Sequence, residues 1–324
     1  MDFQNKVILI TGGTGSFGQK FTEIALREYN PKVIRIFSRG ELLQWEMRQR
    51  FNNDPRLRFF IGDVRDRERL YRAMSGVDIV IHAAALKQVP TCEYNPIEAV
   101  RTNINGAINV IDAAIDNGIE RAIAISSDKA VHPINLYGAT KLVMERLFAQ
   151  ANVYTGERKT RFSCVRYGNV VGSRGSVVPL FLEQRENGKI TITDERMTRF
   201  WITLEQGVRF VIDCLGKIHG GEVFVPKIPS MKVTDLADVI APKAEKEIIG
   251  IRPGEKVNEI LLTEEEALHT KEFADYFVIE PEHSFWKEDN LKGANPLPEG
   301  FTYTSDNNSQ WLTKDELSKM LEGL

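Results

Sequence analysis

Residues 6–18 read KVILITGGTGSFG, and this stretch decides the fold. Its first half, KVILIT, is an apolar run typical of a β-strand, and the glycines after it are spaced G-x-x-G-x-x-G at Gly12, Gly15 and Gly18. A helical pattern follows at once and continues to Tyr29. Glycines between a strand and a helix allow a tight turn, let the backbone approach a pyrophosphate and let the helix pack closely on the strand, while the helix N-terminus offers N–H donors to an anion. The stretch therefore predicts a dinucleotide-binding site.

The same alternation of strand and helix continues through the first half of the chain. Further strand-type runs, separated by helical patterns, occur at 33–37, 57–61, 77–81, 121–126 and 160–166. This alternation predicts an α/β fold with a doubly wound parallel sheet, the Rossmann arrangement. Because the remainder alternates less regularly, we expect a dinucleotide-binding domain over 1–170 and a smaller, mainly substrate-binding lobe over 171–324, interleaved with the first.

Length, charge and cysteine use restrict the class of protein. The chain has 324 residues, 42% of them hydrophobic, which is enough for one large α/β domain or a domain with a lobe. A net charge of -3 gives no basic surface for nucleic acid. Cys92, Cys164 and Cys214 are odd in number and lack C-x-x-C spacing, which favours reduced core thiols. The N-terminus is acidic where a signal peptide is basic, and no uncharged apolar run reaches the roughly 18–20 residues of a membrane span, so we expect a soluble cytoplasmic protein.

The residues after the second strand bear on the choice between NAD and NADP. An NAD-binding protein commonly has Asp or Glu there for the ribose 2′-hydroxyl. This chain has Ser38 and Arg39, which suit a 2′-phosphate, so NADP is predicted. In the alternative, Glu41 faces the ribose and Arg39 is a solvated loop residue.

The ends of the third and fourth strands supply further candidates for cofactor binding. Asp63, which precedes Val64, could accept a hydrogen bond from an adenine amino group, could cap the helix that starts near Asp66, or could do both. Small residues after the fourth strand, among them Ala83, would let a cofactor lie against the backbone. Lys87 could reach a phosphate or the substrate.

Two neighbouring polar residues also have structural interpretations. His82 has no visible metal partners in the sequence and is expected to be structural, so no metal site is predicted. Asn103, in the helical pattern 96–117, either anchors backbone at the strand ends or is polar surface.

Residues 121–141, RAIAISSDKAVHPINLYGATK, carry the candidates for proton transfer. Asp128 and Lys129 fall just past the carboxyl end of a strand, where the chemistry of such folds takes place. Tyr137 and Lys141 lie four apart on the next helix and share one face, so the ammonium would lower the pKa of the tyrosine from about 10. Such a tyrosine can take a proton from a sugar hydroxyl while a nicotinamide takes the hydride. Tyr-x-x-x-Lys alone also occurs by chance on exposed helices, so the motif depends on its context.

The second half of the chain has a long loop and several candidate anion sites. The run YGNVVGSRGSVVP at 167–179 lies between a strand and a helix, and long loops in compact domains are often functional. Arg199, Lys227 and Arg252 could neutralise a nucleoside diphosphate, to which arginine offers a bidentate fork. Each alone is also compatible with a surface charge, although a Pro-Gly turn directly after Arg252 would aim that side chain.

Six motifs together resemble the extended short-chain dehydrogenase/reductase superfamily over nearly the whole chain: TGGTGSFG, SSDKA, PINLYGATK, RYGNVVGSRGSVVP, TRFWI and IRPGEK. More narrowly, they resemble the soluble UDP-N-acetylglucosamine 4,6-dehydratases that invert C5, the pseudaminic acid pathway type. The triplet Ser127-Asp128-Lys129 carries the narrower resemblance, because C5-retaining relatives have Thr-Asp-Glu there and 4-epimerases need no acid–base pair. The resemblance implies NADP, a UDP-sugar substrate, a homo-oligomer and the lack of the N-terminal membrane region that some relatives carry.

The resemblance also implies roles for individual residues. Lys129, Asp128 and Tyr137 would be catalytic, and Lys141 would hold the cofactor. The NADP site would further include Gly12, Thr14, Gly15, Ser16, Phe17, Gly18, Ser38, Arg39, Asp63, Val64, Ala83 and Lys87. The UDP-sugar would contact Lys87, Asn169, Ser173, Val177, Arg199, Arg252 and Glu255.

These assignments give a hypothesis for the reaction. Tyr137 removes the C4 hydroxyl proton as the C4 hydride passes to NADP⁺, Lys129 then removes the C5 proton, and Asp128 protonates the departing C6 hydroxyl. Lys129 can be a base at neutral pH only if its pKa falls from about 10.4, and Asp128 can be an acid only if its pKa rises. Burial and nearby cations would lower the pKa of Lys129, while Asp128 opposes them. The alternatives are an NADP-dependent UDP-hexose 4-epimerase, a non-catalytic NADP-binding protein, and an Asp128–Lys129 ion pair that only caps the loop.

Overall fold

The computed structural model describes residues 1–173, 175–281 and 291–322. Parallel strands buried on both faces have near-continuous apolar sequences, as in VILIT of the first strand. The strands are β1 (Val7–Thr11), β2 (Val33–Ser38), β3 (Leu57–Ile61), β4 (Ile79–His82), β5 (Arg121–Ile125), β6 (Arg161–Val165), β7 (Asn169–Val170), β8 (Lys189–Ile192), β9 (Thr198–Ile202), β10 (Val223–Pro226), β11 (Ser230–Lys232), β12 (Glu245–Ile248), β13 (Ile260–Leu262), β14 (Thr270–Glu272), β15 (Tyr276–Ile279), β16 (Asn295–Pro296) and β17 (Tyr303–Thr304).

Helices connect most of these strands. They are α1 (Ser16–Ile24), α2 (Glu41–Arg50), α3 (Arg67–Met74), α4 (Val89–Tyr94), α5 (Pro96–Val100), α6 (Gly106–Asp116), α7 (Leu136–Gln150), α8 (Val177–Arg185), α9 (Leu204–Lys217), α10 (Val233–Ile240), α11 (Glu264–Ala267) and α12 (Lys314–Leu321). Short 3₁₀ segments lie at Asp128–Ala130 and Ala151–Thr155, and π-helical segments at Ala25–Tyr29 and Arg101–Asn105. The helical pattern predicted over 96–117 is therefore α5, a π segment and α6 in succession.

The main sheet of the described residues has ten strands in the order β16-β14-β15-β10-β6-β5-β4-β1-β2-β3. The seven neighbouring strands β10, β6, β5, β4, β1, β2 and β3 pair in parallel, while the pairings of β10 with β15, β15 with β14 and β14 with β16 are antiparallel. Because β1 pairs with both β2 and β4, the order of the chain reverses beside β1 and opens a crevice at the carboxyl ends of the strands. This arrangement confirms the predicted α/β fold with a doubly wound sheet, and the predicted strands agree with it to within a residue or two.

A second, smaller layer of structure packs over that crevice and has its own hydrophobic core. Its sheets are β11-β9-β7 and β12-β8, and its core includes Val171, Phe181, Trp201, Leu236 and Leu317. The chain after residue 170 does not stay in this lobe, because β10 pairs with β6 in the main sheet and β15 pairs with β10. The predicted division at 170 thus marks a place where the chain leaves the main sheet and later returns to it.

Two expectations about the wider chain can be compared with the structure. Cys92, Cys164 and Cys214 are free and buried, as predicted for core thiols. Across the three described segments, no helix combines the length and apolar character needed to cross a bilayer.

Candidate active site

The glycine loop between β1 and α1 is shaped by close backbone packing. Gly12 has φ +66°, and a Cβ there would lie 3.0 Å from the backbone of Ala84 after β4. A Cβ on Gly18 would lie 2.3 Å from the Gly13 carbonyl oxygen, so α1 sits directly on the loop. Helix α1 begins at Ser16, and its N-cap residue Gly15 makes no side-chain hydrogen bond to the helix. The positive end of the helix dipole at this N-terminus attracts an anion. These residues fit a dinucleotide pyrophosphate.

One cleft of about 1310 Å³ runs from this loop past the strand ends to the second lobe. It brings together the residues predicted for cofactor binding, catalysis and UDP-sugar binding, with the exception of Gly18, whose close contact with Gly13 places it beneath the loop. The predicted cofactor and catalytic residues that line it are Gly12, Thr14, Gly15, Ser16, Phe17, Ser38, Arg39, Asp63, Val64, Ala83, Lys87, Asp128, Lys129, Tyr137 and Lys141. The predicted substrate residues that line it are Lys87, Asn169, Ser173, Val177, Arg199, Arg252 and Glu255. Arg174, within the long loop, lies outside the described residues.

At the predicted ribose end of the cleft, Arg39 is 59% exposed and its guanidinium lies 3.9 Å from the carboxylate of Asp63. Asp63 also accepts hydrogen bonds from the backbone N–H of Arg65 at 2.9 Å and from its guanidinium at 2.7 Å. The N-cap of α3 is Asp66, which accepts from the N–H of Arg69 at 2.9 Å. The interpretation of Asp63 as the helix cap is therefore wrong, because its carboxylate is turned to Arg65. Glu41 is not among the described residues that line the cleft.

The turn after β4 is fixed by Asn103. Its side-chain oxygen accepts from the N–H of Leu86 at 2.8 Å, and its amide nitrogen donates to the Leu86 carbonyl and to Thr140 Oγ1, both at 2.9 Å. This confirms the anchoring interpretation of Asn103. His82 is buried with Nδ1 2.8 Å from Thr11 Oγ1, and burial lowers its pKa to about 3, as expected for a structural histidine.

The candidate catalytic residues Asp128 and Lys129 lie in the 3₁₀ segment that directly follows β5. Lys129 Nζ is 3.1 Å from Asp128 Oδ1 and 3.2 Å from Oε1 of Glu259, which precedes β13. Asp128 is 1% exposed and Glu259 is 2% exposed. Arg199 Nε lies 3.8 Å from the same Glu259 oxygen. We refer to Asp128, Lys129, Glu259 and Arg199 as the Lys129 cluster.

The electrostatics of the cluster correct one expectation and support another. Burial alone would lower the pKa of Lys129, but the carboxylates of Asp128 and Glu259 outweigh it and raise the pKa above its ordinary value. The expected fall in the pKa of Lys129 is therefore wrong, because two buried anions hold the proton on the amine. Burial raises the pKa of Asp128 despite the opposing effect of Lys129, which agrees with the requirement for an acid.

Tyr137 and Lys141 stand on α7, which packs tightly against the 3₁₀ segment. Asn135 caps the helix by accepting from the N–H of Gly138 at 2.7 Å, and a Cβ on Gly138 would lie 2.1 Å from the Lys129 carbonyl oxygen. Burial raises the pKa of Tyr137 to about 12, only partly offset by Lys129. Lys141 Nζ donates to the Ile125 carbonyl at 2.7 Å, and burial lowers its pKa to about 8. The expectation that Lys141 lowers the pKa of Tyr137 below 10 is wrong in this structure, because burial of the phenol dominates.

The three basic residues proposed for a diphosphate have different surroundings. Arg199 donates to the carbonyls of Thr198, Val257 and Lys256 at 2.7, 2.9 and 3.0 Å, so its guanidinium holds backbone together at the cleft wall. Arg252 is half exposed, with its nearest acidic partner, Glu255, at 4.0 Å. Lys227 pairs with Glu272 at 2.8 Å and does not line the cleft within the described segments. Arg252 is the best placed of the three to meet an anion.

Glu259 is a candidate functional residue that was not predicted from the sequence. It is held by reciprocal backbone contacts with Ser305, whose Oγ accepts from the Glu259 N–H at 2.9 Å and whose N–H donates to the Glu259 carbonyl at 2.8 Å. Arg166, paired with Glu145 of α7 at 2.6 Å, donates to the carbonyl of Leu261 in the strand after Glu259. The available signal was one carboxylate directly before the apolar run ILL in VNEILL at 257–262, since a buried acid requires a partner from elsewhere.

The sequence matches the family described as polysaccharide biosynthesis protein over residues 8–281. It is 53% identical over 328 aligned positions to the UDP-N-acetylglucosamine 4,6-dehydratase (inverting) of Campylobacter jejuni subsp. jejuni serotype O:2, with 98% of each chain covered. It is 45% identical over 285 positions to the UDP-glucose 4-epimerase of Rickettsia conorii, with 86% of this chain and 83% of that protein covered. The X-ray structure of Pen from Bacillus thuringiensis matches with a TM-score of 0.91 at 42% identity, covering 100% of this chain and 99% of that one.

Proposed function

Because the chain belongs to the polysaccharide biosynthesis protein family, within the extended short-chain dehydrogenases/reductases, we propose that it is an NADP-dependent UDP-N-acetylglucosamine 4,6-dehydratase that inverts C5. The substrate would be oxidised at C4, would lose water across C5 and C6, and would be reduced at C6. The product is a UDP-4-keto-6-deoxy-L-arabino-hexosamine. Since the cofactor is regenerated in each cycle, the net reaction is that of a lyase.

The observation that carries the proposal is the pair of Asp128 and Lys129 in the floor of the cleft that Tyr137 also lines. A 4-epimerase changes only C4, so it needs a hydride acceptor and one proton-transferring group. Elimination of water needs two more groups, a base for the C5 hydrogen and an acid for the C6 hydroxyl. The buried Asp128 carboxyl and the partly exposed Lys129 amine, 3.1 Å from each other, meet that additional requirement.

The cofactor end of the cleft supports NADP. When bound, NADP⁺ would supply a hydride acceptor for C4, a hydride donor for C6, and a positive charge that favours the Tyr137 phenolate. The exposed guanidinium of Arg39 suits a 2′-phosphate, whereas Glu41 lies away from the cleft wall. Lys141 would hold the nicotinamide ribose from α7.

In the reaction, each residue handles a proton at a stated atom. Tyr137 takes the proton of the C4 hydroxyl, and the resulting ketone acidifies the C5 hydrogen. Lys129 takes that hydrogen as a proton, and Asp128 gives a proton to the departing C6 oxygen, which leaves as water. Arg252 would contact the diphosphate, and Asn169, Ser173, Val177 and Glu255 would line the sugar nucleotide. A homo-oligomeric state, a cytoplasmic location and a place in pseudaminic acid biosynthesis are predictions from the same resemblance.

A second candidate function is favoured by one observation, the 45% identity to a protein named UDP-glucose 4-epimerase. An epimerase would use Tyr137 and the cofactor and would leave the Asp128–Lys129 pair without a chemical role. The two candidates differ in the mass of the product, because epimerisation conserves mass and dehydration removes one water.

The test is incubation of the purified protein with UDP-N-acetylglucosamine and, separately, UDP-glucose, followed by mass spectrometry. We expect the loss of one water from UDP-N-acetylglucosamine. Proton NMR of the product formed in D₂O should show a C6 methyl group, solvent deuterium at C5 and the inverted C5 configuration. Recovery of an isomer of unchanged mass would instead support the epimerase, and recovery of both substrates unaltered with NADP bound would support a non-catalytic protein.

A further inference from the structure

Glu259 is a buried carboxylate in the Lys129 cluster to which the proposed reaction gives no role. Its Oε1 contacts Lys129, and its Oε2 is buried without a hydrogen-bond partner among the described residues. Its backbone is held by hydrogen bonds with Ser305. A satisfied structural carboxylate would have both oxygens paired.

The charges of the cluster explain why a third group is needed. When Asp128 carries the proton that its role as the acid requires, Glu259 is the remaining negative charge of the cluster, beside the positive charges of Lys129 and Arg199. An ammonium has no lone pair and cannot remove a proton from carbon. Lys129 must therefore pass a proton to a neighbour before the C5 step.

Two neighbours touch the Lys129 amine, and only one is available. Asp128 is required to protonate the C6 oxygen, so it cannot also store the proton of Lys129. Glu259 touches the amine at 3.2 Å, and the third cation near it, Lys256, donates to the Val131 carbonyl. Tyr137, the remaining titratable group facing Lys129, handles the C4 hydroxyl.

We propose that Glu259 accepts the Lys129 ammonium proton before the C5 step and returns it once Lys129 has passed the C5 proton to the Asp128 carboxylate that the C6 protonation leaves behind, an inference that rests on the proposed dehydratase function. One N–H bond of Lys129 breaks and an O–H bond forms on Glu259, leaving a neutral amine and a neutral acid. The amine lone pair then forms a bond to the C5 proton, and the C5–H electron pair enters the enolate conjugated with the C4 ketone. Glu259 acts through Lys129 and not on the sugar, so it is a positioning residue that also stores a proton.

The surroundings of Glu259 suit a temporary proton store. Burial raises the pKa of Glu259, but Lys129, Arg199 and Lys256 together lower it by more than burial raises it. The carboxylate is therefore charged at rest. Lys129 is the largest of these lowering influences. When Lys129 loses its charge, that influence is removed and burial favours the protonated acid. The two groups therefore exchange one proton without a change in the net charge of the closed cleft.

The test is Glu259→Gln, which keeps the shape and a hydrogen-bond acceptor for Lys129 but cannot accept the proton. At pH 7 we expect kcat for water loss from UDP-N-acetylglucosamine to fall about 100-fold, the lower end of the range for general acid–base groups. The amine must then lose its proton to solvent, so kcat of the variant should rise about tenfold per pH unit between pH 6 and 9. The wild type should show no such slope. C4 oxidation, followed as NADPH absorbance in a single turnover, should be retained.

Two further variants keep the inference falsifiable. Glu259→Asp retains a proton acceptor and should recover more activity than the glutamine variant, without the steep pH dependence. Glu157→Gln, which removes an exposed glutamate outside the cleft, should match the wild type. A glutamine variant with wild-type kcat and pH profile, or one that loses C4 oxidation to the same degree, overturns the inference. Failure of the wild type to release water refutes the proposed function itself and is a separate result.

Discussion

The glycine loop at 12–18 and the Lys129 cluster line one cleft, yet they are built in different ways. The loop is made by neighbours in sequence, and its geometry follows from the absence of side chains at Gly12 and Gly18. The cluster joins Lys129 to Glu259, which is 130 positions away, and its properties follow from charge. A backbone site can be recognised from a short motif, whereas the protonation state of a side chain depends on partners that the fold supplies.

The largest expected effect tests whether turnover, which depends on the Lys129 cluster, can be lost without loss of NADP binding, which depends on the glycine loop. Lys129→Ala should reduce kcat for dehydration about 10³-fold, because the C5 base is lost, and should leave NADP affinity unchanged. Turnover is measured by mass spectrometry and affinity by fluorescence titration. Lys159→Ala, at an exposed position, is the matched control. Undiminished turnover in Lys129→Ala would remove this residue from the base role.

The next effect contrasts Lys129 with His82, a buried base in the main sheet. His82 lacks the anionic partners of Lys129, and burial lowers its pKa from 6.5 to about 3. A lowered folded-state pKa means that the unfolded chain binds the extra proton, so stability is present above about pH 6.5 and is lost as the pH falls towards 3. At pH 4 this loss is on the order of 3 kcal/mol, from about 1.4 kcal/mol per pH unit.

His82→Gln should therefore show a smaller fall in the free energy of unfolding between pH 7 and pH 4 than the wild type. The measurement is urea unfolding at both pH values, and His132→Gln, at an exposed histidine, is the control for the pH slope. Equal slopes for His82→Gln and the wild type would show that His82 is not held neutral by the fold.

A third prediction tests the close packing of Gly18 against the glycine loop. Gly18→Ala would place a Cβ 2.3 Å from the Gly13 carbonyl oxygen, and the backbone on both sides would have to move. We expect a loss of about 1–3 kcal/mol in the free energy of unfolding and weaker NADP binding, with kcat at saturating NADP less affected. Gly216→Ala in α9, whose Cβ would have its nearest neighbour at 3.6 Å, should be tolerated. If the two variants were equally stable, close packing beneath the loop would not be required.

The smallest effect concerns one exposed charge. Arg39→Ala should weaken NADP binding about tenfold, close to 1.4 kcal/mol, and leave NAD binding unchanged, because only NADP has a 2′-phosphate. Isothermal titration with both dinucleotides gives the ratio, and Arg72→Ala, at an exposed position of α3, is the control. An equal loss for NAD and NADP would assign Arg39 to its pairing with Asp63 instead.

The parts of the molecule that could be predicted are those set by local periodicity and backbone sterics. The strands and the glycine loop were recognised because apolar runs and glycines act over a few positions. The π segment at Arg101–Asn105 was not, although the anchoring role of Asn103 within it was one of the two interpretations considered.

The parts that could not be predicted depend on long-range contacts. Asp128 and Glu259 together reverse the expected direction of the pKa shift at Lys129, and no residue near Lys129 in sequence indicates the presence of Glu259. Arg199 was expected to meet a diphosphate, but its donors are turned to three backbone carbonyls that become neighbours only in the folded chain. For the same reason burial, and not Lys141, determines the pKa of Tyr137.

The insertion of β10 between β6 and β15 has a consequence for how the polypeptide can be divided. A fragment ending near residue 170 would leave the outer edge of β6 unpaired, with open N–H and C=O groups on an apolar strand. A fragment starting there would carry β10 and β15 without the sheet on which they pair. Neither half is a self-sufficient folding module, so limited proteolysis at the lobe boundary should yield nicked protein that stays associated under native conditions and aggregates once its pieces are separated.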